Sequence, residues 1–139
     1  MDSTIKQFIL FSISGVIGFG VDAGIMTTLN RSAHVSLIPA QIIAFLVAVT
    51  VTWSINRRFA FRDTKSPNKI NEWVNYLGAN VFGGAVNNGV FSALVISSSL
   101  FERVPVLAVA GGSIAGLVFN FGSSKALVFK YNRNKFSNR

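Results

Sequence analysis

The sequence has no cysteine and a single histidine. The first absence excludes disulfides and thiolate metal sites, and the second excludes a histidine-rich metal centre. No metal and no cofactor are therefore expected. Charge is scarce as well: Asp, Glu, Lys and Arg make up 13% of 139 residues, where a soluble domain carries about a quarter. Nor is there a nucleophile elbow, a phosphate-cradling glycine loop after a strand, or a pair of carboxylates placed for acid–base work. The chain is not expected to be an enzyme.

Apolar residues fill the space that charge leaves. Half of the chain is hydrophobic and its mean hydropathy is +0.49. Crossing about 30 Å of hydrocarbon takes about 20 helical residues. Four runs suffice, at about 8–29, 37–55, 73–100 and 105–124. Only Asp22 interrupts the first, and Pro39 stands near the start of the second, where a missing N–H costs little. Lipid offers the backbone no hydrogen-bond partner, so each run must be helical. The expected fold class is all-α integral membrane, a single four-helix domain over residues 1–139.

A net charge of +8 often signals nucleic acid, but here the basic residues lie between apolar runs, as beside anionic headgroups. Membrane lipids, and no nucleic acid, are the expected partners. Arg57, Arg58, Arg62, Lys65 and Lys69 crowd the second connection; Lys125, Lys130, Arg133, Lys135 and Arg139 fill the C-terminal end; Lys6 precedes the first run. Of 13 basic residues only Arg31 and Arg103 fall on the other side. The positive-inside rule then places both termini in the cytoplasm.

The sequence also repeats. A shift of 68 residues lays Ala40, Ala44, Ala48 and Thr52 on Ala108, Gly112, Gly116 and Asn120, Arg57 on Lys125, Phe61 on Phe129 and Gly15 on Gly83. Two copies of a helical hairpin are expected, at about 5–62 and 73–130, joined by a cytoplasmic connection at about 57–72. Small residues spaced four apart form a ridge that lets helix backbones approach.

The polar residues of the spans are the candidates for function. Asp22 shares a helix face with Gly15 and Gly18, which turns its carboxyl away from lipid, where a charge costs at least about 2.5 kcal/mol. It fits either a proton or substrate site, or a neutral carboxyl that locks helices together. Asn87, Asn88 and Asn120 are expected to face inward, where they line a polar path or bond across helices. Asn56, Arg57 and Arg58 end the second run, and Lys125 ends the fourth at the matching position. Snorkelling to lipid phosphate explains such charges; so does a basic clamp for a phosphate group, with Arg making bidentate contacts.

The segment P-A-Q-I-I-A-F-L-V-A-V-T-V-T-W-S-I-N-R-R-F-A-F-R at 39–62 resembles the GtrA-like family. G-L-V-F-N-F-G-S-S-K-A-L-V-F-K at 116–130 resembles the family's second such position, and F-x-x-x-S-x-x-G-V-I-G at 8–18 its opening. The resemblance implies a bacterial inner-membrane protein of cell-surface polysaccharide assembly. Its substrate would be a polyprenyl-monophosphate-linked sugar, moved from the cytoplasmic to the outer leaflet for a membrane glycosyltransferase. The phosphate would then meet Asn56, Arg57, Arg58 and Lys125, and the sugar a path along Asp22, Asn87, Asn88 and Asn120. An anionic Asp22 repels phosphate, so a protonated carboxyl is expected during passage. A homodimer would help to enclose the headgroup. Two alternatives remain: a non-transporting accessory subunit that anchors a glycosyltransferase, and a small proton-coupled cation exporter.

Overall fold

A computed structural model describes residues 3–129. These residues are helical with no strand among them, and four helices are long and apolar enough to cross a membrane. The helices are α1 (Ser3–Arg31), α2 (Leu37–Ile55), α3 (Lys69–Ser97), the short α4 (Ser99–Arg103) and α5 (Pro105–Ser123). Single π-helical turns continue two of them: π1 (Asn56–Ala60) after α2 and π2 (Ser124–Val128) after α5. Helix α3 begins four residues before the expected span and ends three before its close. Asn68 caps its start by accepting from the Asn71 N–H at 3.1 Å. Extended backbone at Ser98 ends it, and the Ser98 hydroxyl accepts from the Leu100 N–H to start α4.

The chain divides into two compact units, Met1–Pro67 and Asn68–Arg139. In the first, α1 packs on α2 and π1; in the second, α3 packs on α5 and π2. The ridge of small residues is where the helices meet: Ala40, Ala44, Ala48 and Thr52 are buried in the first unit, and Ala108, Gly112 and Gly116 in the second. Helices in lipid gain little from hiding apolar area from one another, so close backbone packing must hold each hairpin. Large apolar side chains lie on the outer faces instead, with Val16 and Phe19 about three-quarters exposed. In water such a surface would aggregate; in hydrocarbon it is the solvated face.

The two hairpins share one plan, in a register different from the expected one. From α2 and α5 onward the shift of 68 holds. Phe61 packs edge-on against Phe11 at 6.1 Å, and Phe129 against Tyr76 at 6.4 Å. In the first helices the equivalent residues stand 65 apart: Phe11 with Tyr76, Ser14 with Ala79, Gly18 with Gly83. Gly18, not Gly15, is therefore the counterpart of Gly83. The reason is steric: a Cβ on Gly18 would collide with Thr52, and one on Gly83 with Asn120, whereas Gly15 faces open space. The longer α3–α5 connection, which contains α4, absorbs the three-residue difference.

Candidate functional site

Each hairpin ends on its π turn. A π turn bonds each N–H to the carbonyl five residues back, which widens the helix and re-aims the side chains that follow. Phe61 N–H bonds to the Asn56 carbonyl at 2.8 Å, and Phe129 N–H to the Ser124 carbonyl at 3.0 Å. Both turns then show one pattern of burial. Asn56 and Ser124 point inward, the third and fourth residues point out, and Ala60–Phe61 and Val128–Phe129 return to the core.

The π turns assign different tasks to the candidate phosphate ligands. Asn56 is 1% exposed and its side-chain oxygen accepts from the Ser14 hydroxyl at 2.7 Å, so it fastens π1 to α1. Arg57 stacks over Trp53 with its guanidinium carbon 5.8 Å from the ring centroid, and its Nη2 donates to the Ser66 carbonyl at 2.7 Å. That arrangement secures the connection after π1. Lys125 repeats half of it, with Nζ 5.8 Å from the centroid of Phe121, again the aromatic four residues earlier. A cation held over a ring face is attracted by the ring quadrupole.

Arg58 is exposed and does something else. It lines an open cavity of about 690 Å³ whose walls also carry Lys6, Arg62, Lys65 and Asp63, with apolar surface from Leu10 and Phe59. Four cations against one carboxylate make this a strongly positive hollow at the π1 end of the hairpin. Crowded like charges repel one another, and an anion relieves that repulsion, most of all in front of guanidinium forks. Lys6, Arg62 and Lys65 were legible in the sequence only as topology signals; folding brings Lys6 to residues more than fifty positions away.

The second hairpin has a groove of about 430 Å³ on α3, α5 and π2, lined by Val74, Gly78, Phe82, Phe119 and Leu127, with Asn75 and Ser123 its polar contributions. It is largely apolar and lies farther along its helices than the basic cavity does in the first hairpin. Nearby Glu72 is 1% exposed, a buried carboxyl that the sequence did not single out.

Farther along the helices, the candidate path residues separate. Asp22 is half-buried, and both of its carboxylate oxygens accept from Gln41 Nε2, at 3.2 and 3.1 Å. Gln41 was not singled out in the sequence, where nothing local links it to a residue 19 positions earlier. Asn87 packs against Gly112 and Gly116, and Asn120 against Gly83, so both amides face the interior of their hairpin as expected. Asn88 does not: it is exposed and donates to the Gly84 carbonyl of its own helix at 3.0 Å. Lys130, Tyr131, Arg133, Lys135 and Arg139 lie outside the described residues. Among the described residues no cluster of His, Asp or Glu could hold a metal ion.

No curated protein sequence matches the chain. Residues 10–129, which take in α1 from Leu10 onward, the other three spans and both π turns, match the family described as "GtrA/DPMS, transmembrane domain". The chain thus belongs to the GtrA-like family, a multi-pass membrane family associated with the handling of lipid-linked sugars.

Proposed function

We propose that this protein moves polyprenyl-monophosphate-linked sugars from the cytoplasmic to the outer leaflet of a bacterial inner membrane, for use in cell-surface glycans. The observation that carries this reading is the basic cavity beside π1, where Lys6, Arg58, Arg62 and Lys65 converge next to apolar Leu10 and Phe59. A lipid phosphate needs both: cations for its charge and an apolar flank for its first isoprene units. The concentration of basic residues at the π-turn ends supports a cytoplasmic position for that end, and with it both termini.

Within this reading Arg58 is the leading phosphate contact, while Arg57 and Asn56 hold π1 in shape for it. Lys125 offers a further cation on the second hairpin. Asp22, with Gln41, gives the sugar polar company deeper in the bilayer; Asn87 and Asn120, closed over glycine backbones, serve mainly to lock α3 to α5. A second copy of the chain would help to enclose the headgroup. No covalent step falls to this chain, so a membrane glycosyltransferase is the expected consumer of the lipid it delivers.

A basic entrance repels cations, which weighs against a cation exporter. The accessory-subunit reading is separated by experiment: proteoliposomes holding only this protein and a tagged polyprenyl-phosphate sugar. Flipping by the protein alone supports the translocase. Folded protein without flipping supports the accessory subunit.

A further inference from the structure

The cavity beside π1 is lined by two residues, Gln7 and Asp63, whose acceptor oxygens a phosphodiester has no use for. Resting on the headgroup reading above, we propose that the cavity recognises the sugar as well as the phosphate, with Gln7 and Asp63 accepting hydrogen bonds from sugar hydroxyls. Gln7 lines the cavity together with Lys6 and Arg58, yet its Oε1 is buried and accepts no hydrogen bond. A buried carbonyl without a donor is unfavourable. The packing of the hairpin does not require one: at the equivalent position of the second hairpin stands Glu72, 65 residues on, which is buried and has an interaction partner. The terminal torsion of a glutamine amide turns freely, so a donor arriving in the cavity can meet this oxygen.

The chemistry of the donor follows. A glycosyl phosphodiester has only acceptor atoms at its phosphate and hydroxyl donors only on its sugar. Asp63, exposed among the cations of the same wall, is also an acceptor and repels phosphate. A site for bare phosphate gains nothing from it, whereas a sugar hydroxyl gains a charge-assisted partner. A cavity of about 690 Å³ holds more than one phosphate group, within the usual size of small-molecule sites. Arg58, Arg62 and the two lysines then take the phosphate, Gln7 and Asp63 the sugar, and Leu10 and Phe59 the start of the isoprenoid.

The test is binding of short-chain probes to the purified full chain in detergent by calorimetry. The probes are citronellyl methyl phosphate and the glucosyl, mannosyl and galactosyl esters of citronellyl phosphate, all with one negative charge. At least one sugar ester should bind about tenfold or more tighter than the methyl ester. Gln7→Leu should remove most of that difference while leaving methyl ester affinity unchanged. Asp63→Ala should weaken the sugar ester and strengthen the methyl ester, because the same carboxylate attracts a hydroxyl and repels a phosphate. Asp63 is exposed, so this sign reversal is readable even if Gln7→Leu fails to fold. Sugar esters that bind no tighter than the methyl ester, or variants that weaken both alike, overturn the proposal. Sugar-dependent binding without flipping in vesicles sustains it and removes the translocase reading alone.

Discussion

The Ser14 hydroxyl donates to the Asn56 side-chain oxygen at 2.7 Å, joining α1 to the first residue of π1 inside a buried contact. At the same place in the second hairpin stand Ala79 and Ser124, and the Ser124 hydroxyl is buried without a hydrogen-bond partner. Ser14→Ala should therefore destabilise the protein by about 1–3 kcal/mol, because it takes a donor from a buried amide. Ser124→Ala should be neutral or stabilising by up to about 1 kcal/mol, because it removes a polar atom that gains nothing from burial. Thermal unfolding in detergent distinguishes the two; equal losses would contradict the assignment.

The register of the repeat is testable with glycine. A Cβ at Gly18 meets Thr52, a β-branched side chain with little rotamer freedom, and one at Gly116 meets the Gly83 carbonyl oxygen at 3.1 Å and Asn87 Cβ at 2.9 Å. Gly18→Ala and Gly116→Ala should each cost about 1–3 kcal/mol from overpacking. Gly15→Ala meets open space and should be neutral or gain up to about 1 kcal/mol from helix propensity. If Gly15→Ala is the damaging change, the register with Gly15 on Gly83 is restored.

How much of this was legible in the sequence depends on the length scale of the signal. The four spans follow from apolar runs, and α2 falls on 37–55 because charge and turn residues bound that run on both sides. The first-helix register was misread because glycines recur in apolar helices, so Gly15 and Gly83 match by identity while contact selects Gly18. The π turns were invisible: N-R-R-F-A and S-K-A-L-V share a polar first residue, a basic second and two apolar residues at the end, a pattern equally at home in an α-helix, and the five-residue hydrogen bond belongs to the backbone. The basic cavity was half legible. Arg57, Arg58 and Arg62 announce themselves as a cluster, but nothing local divides Arg57, which secures Ser66 and Trp53, from Arg58, which faces the cavity with Lys6.

That division predicts different defects for two adjacent arginines. Arg57→Ala loses a charge-assisted bond to Ser66 and the stack on Trp53, and should lower the unfolding temperature at a cost of about 1.5–3 kcal/mol. Arg58→Ala should leave the unfolding temperature within error and weaken binding of a short-chain isoprenyl phosphate about tenfold. Headgroup binding lost in Arg57→Ala alone would move the phosphate contact to the neighbouring residue.

Asp22 poses a separate question, whether its carboxyl carries a proton or fastens α1 to α2 through Gln41. Asp22→Asn preserves a side chain that bonds Gln41 but removes the titrating group. A proton role predicts slower flipping in Asp22→Asn. Transport at the wild-type rate would leave only the helix lock.

The most direct test of the central claim is flipping of a tagged polyprenyl-phosphate sugar in proteoliposomes containing this protein alone, comparing wild type with Arg58→Gln and Arg62→Gln. The cavity account predicts flipping by the wild type and a loss of about tenfold or more in Arg58→Gln, with unfolding temperature unchanged. Wild-type flipping rates in both variants, or no flipping by folded wild-type protein, would contradict it.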